Sequence, residues 1–374
     1  MNIRTIGASV MRNLRNIPGW TSRRKIVVIE SDDWGSIRVP SKEVYERFLK
    51  YGFKVTSSQY NRLDCLESNE DLESLFEVLS SSRDKNGNPA VLTANAIMAN
   101  PDFRKIKDSG YREYHYEHFT ETLKRYPCHN KVFQLYEQGQ QQRLFRPQFH
   151  GREHLNISRW MKALQQGGKD VLFAFDQETT FSGQGDYSFM EAMDMDSPAE
   201  LDQVTAIAAD GLQMFRKTFG YASQSFIAPC YTWDSGMEGQ LAKQGVSYLQ
   251  GSRYQYIPNG GFDNYKKASH YLGKRNDNNL IYLVRNSVFE PGLLYKSDWV
   301  DYTLASINDA FRWNKPAIIC SHRINFIGTI DPANRDNNLK MLRQLLSTIV
   351  KKWPDVEFMS SDELGDLIKT TTSK

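Results

Sequence analysis

Cysteine is scarce and scattered in this 374-residue chain: Cys65, Cys128, Cys230 and Cys320 form no Cys-x-x-Cys pair, which excludes a zinc ribbon and a disulfide scaffold. No apolar run approaches the length of a membrane span, so no membrane-spanning helix is expected. The first residues lack the continuous apolar core and small-residue cleavage site of a secretory signal, and a cytoplasmic location is therefore expected. With a net charge of only +3 and no basic run interleaved with aromatics, no nucleic-acid partner is expected. Linkers rich in Gly, Ser or Pro are missing, and so are internal repeats. One unit over residues 25–374 follows, preceded by a basic segment, 1–24. In that segment Ile3, Ile6, Val10, Met11 and Leu14 recur at helical spacing, which fits a helix packed on its own protein or one in weak peripheral contact with an anionic membrane.

Against this background two motifs stand out. The β-branched run Lys25 to Ile29 leads into Asp32 and Asp33. Adjacent carboxylates raise each other's pKa unless a cation or donors separate their roles, so the pair is either a solvated turn or one metal ligand beside one base. Further on, His150 and His154 lie four residues apart in a chain with seven histidines. On a helical turn that spacing puts two imidazoles on one face, suited to a divalent ion whose third ligand is a distant carboxylate. Two unrelated surface histidines are the alternative.

Periodicity gives short apolar runs alternating with amphipathic stretches. Strands are expected at Lys25 to Ile29, Ala90 to Ala94, Leu144 to Gln148, Asp170 to Phe175, Gln224 to Ala228, Val246 to Leu249, Leu280 to Val284, Pro316 to Cys320 and Glu357 to Met359. Helical patterns fall between them, among them Lys42 to Tyr51, Pro198 to Phe219 and Arg335 to Lys352. This βα alternation predicts an α/β fold, a single parallel βα barrel. Chemistry in such barrels sits at the carboxyl ends of strands. Asp32, Asp33, His150, Asp176, Cys230, Arg285 and His322 all follow apolar runs, as a site at one rim requires. Tyr187, Phe189, Tyr254, Tyr256 and Phe262, in two irregular segments, could stack on sugars or pack the loops.

The ordered motifs from about residue 25 to residue 322 resemble those of the NodB-type polysaccharide deacetylases, carbohydrate esterases, and the resemblance implies a single distorted (β/α) barrel of about seven strands. The resemblance implies Asp32 as catalytic base, with Asp33, His150 and His154 as ligands of a divalent metal, zinc first among the candidates. His322, in Ser321-His322 after an apolar strand, matches the general acid, and Asp298-Trp299 is similar to the family's Asp-Trp motif. Ile227-Ala-Pro-Cys230 matches the family's Arg-x-Pro-aromatic only in part: Ile227 stands where the Arg holds the base, and Cys230 replaces the aromatic, with Tyr231 next. Arg285 or Arg152 could supply the missing cation, or both could bind surface carboxylates. The Cys230 N–H could still serve as an oxyanion donor. Asp298 either orients His322 or caps a helix.

The implied activity is metal-dependent removal of an acetyl group from an amino sugar, a lipid-linked saccharide or a polysaccharide. Two alternatives stay open: a barrel that binds a glycan or nucleotide sugar without deacetylating it, and a glycoside hydrolase using paired acids such as Asp32 and Asp176.

Overall fold

The computed structural model describes residue 13 and residues 16–182 and 189–372. Most of the amphipathic N-terminal pattern and Tyr187 lie outside the described residues. The strands, in chain order, are β1 (Lys25–Trp34), β2 (Leu92–Ile97), β3 (Ala99–Pro101), β4 (Tyr116–His118), β5 (Phe145–Gly151), β6 (Ser225–Phe226), β7 (Tyr248–Gly251), β8 (Tyr254–Pro258), β9 (Tyr265–Ser269), β10 (Ile281–Val284), β11 (Ser287–Val288), β12 (Ala317–His322) and β13 (Val356–Met359). Nine of them make one parallel sheet in the order β10-β7-β6-β5-β2-β1-β12-β11, with β13 beside the first half of β1.

The first and last strands of that order, β10 and β11, are separated in the chain by only Arg285 and Asn286. The Arg285 N–H donates to Gly251 O at 2.9 Å and the Asn286 N–H to Ile318 O at 3.1 Å. One stretch of chain thus spans from β7 to β12 and curls the sheet into a distorted (β/α) barrel, as expected, with more strands than the seven anticipated.

Strand alternation separates two layers of core. Val27, Ile29, Ala317, Ile319 and Leu249 pack with the surrounding helices. Ile26, Val28, Ile281, Leu283, Ile318 and Tyr248 form a second cluster, closed by Leu364 and Ile368 of the C-terminal helix Ser361–Thr372. The same parity carried two and four residues further along each strand gives Glu30 and Asp32, Arg285, and Cys320 and His322. An apolar floor therefore gives way to a polar rim on one face.

The helix Leu201–Phe219 backs β5, and its buried Gly211 allows a close approach. An added Cβ would lie 2.7 Å from Phe149 Cζ and 2.9 Å from Arg152 Cβ. Gly211→Ala should cost about 1–3 kcal/mol through overpacking, read as a lowered urea midpoint.

Three expectations are corrected. Asp170 to Phe175 is not a strand but part of the helix Lys169–Asp176, whose buried Val171, Ala174 and Phe175 follow helical spacing. Residues 251–274 are not irregular, because β8 and β9 form an antiparallel hairpin there. Its Tyr254 and Phe262 are exposed, whereas Phe189 is buried. Finally, His150 is the next-to-last residue of β5 and His154 lies beyond the strand, so no helical turn joins them.

Candidate metal and acid–base site

Asp32 and Asp33 lie within β1, where a regular strand would point them to opposite faces. A bulge prevents this. Ser31 pairs with Ala94 and Trp34 with Ala96, so β1 carries an extra residue there. Asp33 takes the left-handed φ of +78° that accommodates it, a conformation Asp tolerates better than most residues. A second irregularity lies opposite: the register of β5 against β2 shifts between Phe149 and Gly151, around His150.

These bends bring three donors together. Asp33 Oδ1 lies 3.4 Å from His150 Nε2 and 3.2 Å from His154 Nε2. One ligand atom from each of Asp33, His150 and His154 falls within 4.8 Å of the others. His150 Nδ1 donates to Ile227 O at 2.9 Å, which leaves the Nε2 lone pair directed at the trio. That Nε2 is buried and makes no hydrogen bond among the described residues, an arrangement that suits a metal ligand with its outer N–H fixed by a carbonyl. Burial lowers the pKa of His154, keeping the imidazole neutral as coordination requires. Asp33 is held well below the ordinary carboxylate range: burial would raise it, and the two imidazoles beside it prevail. One carboxylate oxygen and two imidazole nitrogens fit a zinc-type ion with an open position.

Asp32 has a different environment. Arg285 grips it with two bonds, Nη1 to Oδ2 at 2.8 Å and Nη2 to Oδ1 at 2.6 Å, while Asn95 Nδ2 donates to Oδ1 at 2.7 Å. The Arg285 Nε donates to Glu30 Oε2 at 2.6 Å, and its Nη1 also reaches the Tyr231 hydroxyl at 3.0 Å. Burial alone would raise the pKa of Asp32, but the guanidinium holds it far below the usual range. Arg285 is therefore the cation that binds Asp32. Arg152 is not, because it binds Glu153 at 2.8 Å and Asp210 at 2.9 Å.

His322, paired with Asp32 across the β1–β12 ladder, donates from Nδ1 to Glu290 Oε1 at 2.6 Å. Its Nε2 lies 3.6 Å from Asp32 Oδ2. Burial would lower the pKa of His322, yet Glu290, with Asp32 and Asp33 behind it, raises it well above the usual value. Glu290, Cys320 and His322 also converge, but the short Glu290 bond occupies the imidazole nitrogen that faces this trio. At the site's edge Cys230 and Tyr231 both adopt left-handed φ, +55° and +57°, at roughly 1–2 kcal/mol each. The Cys230 N–H makes no backbone hydrogen bond among the described residues.

The other expected site residues lie elsewhere. Asp176 ends its helix and pairs with Lys107 at 2.7 Å on the surface, so it does not join Asp32 as an acid pair. Asp298 is exposed at the start of the helix Trp299–Arg312 and makes no capping bond with its side chain. Trp299 is buried under Tyr295 and Tyr302. The residue that orients His322 is Glu290, which sequence reasoning missed: it follows β11, a strand of two residues too short for any periodic signal.

No protein-family profile and no curated protein matches the sequence. Solved structures do resemble the fold. A provisionally assigned polysaccharide deacetylase from Mycobacterium smegmatis is 10% identical, with a TM-score of 0.46 over 95% of this chain and 94% of that one. A provisionally assigned glycoside hydrolase/deacetylase from Parabacteroides distasonis is 10% identical, with a TM-score of 0.47 over 94% of this chain and 73% of that one. The α-amylase AmyC from Thermotoga maritima is also 10% identical, with a TM-score of 0.45 over 92% of this chain and 74% of that one. Polysaccharide deacetylases thus recur among the structural neighbours, and at such identities the likeness is one of fold. Among the described residues no helix is long and apolar enough to cross a membrane.

Proposed function

We infer that this chain is a metal-dependent deacetylase acting on an N- or O-acetylated carbohydrate. The observation that carries the reading is the convergence of Asp33, His150 and His154 beside an arginine-held Asp32 and a glutamate-held His322. Asp33, His150 and His154 would hold a divalent ion, zinc by the donor set. When bound, such an ion polarises a carbonyl and lowers the pKa of water from ~16 to ~7.

The chain's own groups do the rest. Asp32 accepts the proton of the attacking water on Oδ2, which takes one hydrogen bond, from Arg285, where Oδ1 takes two, from Asn95 and Arg285. The Cys230 N–H donates to the oxyanion that develops on the acetyl group. His322, kept protonated by Glu290, gives its proton to the departing amine or hydroxyl.

The test joins metal content to acetate release. Purified protein should carry zinc and release acetate from N-acetylglucosamine oligomers, and His154→Ala should lose both. Zinc without acetate release, but with glycan binding, would favour a binding barrel. Glycan cleavage that persists without metal would favour a glycoside hydrolase.

A further inference from the structure

Behind the two strand ends that carry the site lies an ion cluster closed to solvent. Arg323, the residue after His322, is 0% exposed, as is Glu67, and Asp64 is 1% exposed. Arg323 donates to Asp64 Oδ1 from Nε and Nη2 at 3.2 and 3.0 Å, and to Glu67 Oε2 from Nη1 at 3.0 Å. Glu67 also accepts the Gly35 N–H at 3.1 Å and the hydroxyl of Tyr136. Asp64 continues the network through its backbone, accepting from Val39 N–H at 3.2 Å and donating to Tyr60 O at 3.0 Å. The Tyr60 ring meets the His322 ring edge-on at 5.5 Å.

Burying a guanidinium with two carboxylates costs several kcal/mol per ion, and apolar side chains of like volume often stabilise a core as well or better. Stability alone therefore does not account for the cluster. Its place in the fold does. The β1–β12 ladder ends at the pair Asp32 and His322, so Asp33, one residue further on, lies beyond the last ladder bond to β12. Gly35 ends this turn with φ +80°, where a Cβ would lie 2.7 Å from Ile97 O.

We propose that Arg323 and Glu67 are positioning residues: they form a buried clamp that ties the Asp33 turn of β1 to the His322 end of β12 where the ladder stops. The inference rests on the function proposed above, in that it fixes the metal-binding carboxylate against the proton donor.

The test uses the full chain, with zinc alone as probe. The variant Asp64→Leu/Glu67→Gln/Arg323→Met removes the buried charges, while the amide introduced by Glu67→Gln keeps an acceptor for the Gly35 N–H. It should fold, and its zinc dissociation constant should rise about 10- to 100-fold, as for other outer partners of metal ligands. Glu67→Gln alone, which leaves Arg323 paired with Asp64, should move in the same direction. Arg323→Lys should recover part of what Arg323→Met loses. A folded triple variant that binds zinc as tightly as the wild type would overturn the clamp and leave the deacetylase reading intact. If the wild type itself binds no zinc, that reading fails separately, and crystal structures then judge the clamp. An Asp33–His322 separation unchanged in the triple variant would overturn it, and a displaced Asp33 turn would support it.

Discussion

Arg285→Met should abolish acetate release and lower the unfolding free energy by about 3–5 kcal/mol, the cost of stranding buried charge when one partner of an ion pair is removed. Two carboxylates lose their partner at once, because Arg285 serves both Glu30 and Asp32, and none of the three side chains is more than 5% exposed. The pH dependence gives the prediction its sign. In the wild type the folded pKa of Asp32 lies below the unfolded value. Its pairing therefore contributes stability above pH ~4 that is lost as pH falls through the folded pKa. Without the guanidinium, burial, the largest influence on Asp32, is opposed only by His322, His150 and the Asn95 amide, and it should raise the folded pKa above the unfolded one. The Asp32 contribution then reverses, and the variant should regain stability as pH falls towards the carboxylate range. Urea unfolding of both proteins at pH 5 and pH 8 measures this: the deficit of the variant should be larger at pH 8. Arg285→Lys keeps the charge but loses the fork that binds both Asp32 oxygens. It should recover more stability than activity, since a point charge neutralises Asp32 without fixing its orientation. A deficit independent of pH, or an active Arg285→Met, would show that Asp32 is neither held nor used in this way.

The location of that arginine shows what was legible in the sequence. Asp32, Asp33, His150 and His322 follow β-branched or apolar runs, and strand-end chemistry in a βα repeat places such residues at one rim, while His154 is marked by its spacing from His150. Arg285 could be named as a candidate because it follows Leu280 to Val284. The sequence leaves it beside Arg152 as a partner for Asp32, with surface carboxylates as the alternative, because the choice depends on β10 lying across the barrel from β1, a contact of 253 residues' separation. Asp170 to Phe175 was misread because a short apolar run fits strand and helix alike, and only its packing on Trp160 and Phe103 decides the matter. Asp176, at the end of that helix, lies outside the site. The bulge at Asp32 and Asp33 carries no local sequence signal, as neither flanking position is a glycine or proline that would mark one. It exists because Trp34 is drawn into the core, fully buried against Tyr136 and Phe145.

Glu290 carries the second large effect. Glu290→Gln should leave zinc content unchanged and shift the alkaline limb of kcat to lower pH by about one unit or more, since one unit corresponds to ~1.4 kcal/mol of lost interaction. His322 is useful as an acid only while protonated, so activity falls as pH rises through its folded pKa. The Glu290 carboxylate 2.6 Å away raises that pKa, and a neutral amide removes the charge that does so. At pH 8 the variant should therefore lose much more activity than at pH 6, a contrast that a simple loss of packing would not produce. His322→Ala should remove the acid altogether and cost ~10²- to 10⁴-fold in turnover, with less effect on a substrate whose leaving group departs without a proton. An activated aryl acetate provides that control. Asp298→Asn provides another: its exposed carboxylate lies outside the site, so its pH profile should match the wild type. A profile moved by Asp298→Asn and untouched by Glu290→Gln would return the orienting role to the Asp-Trp motif and remove Glu290 from the mechanism.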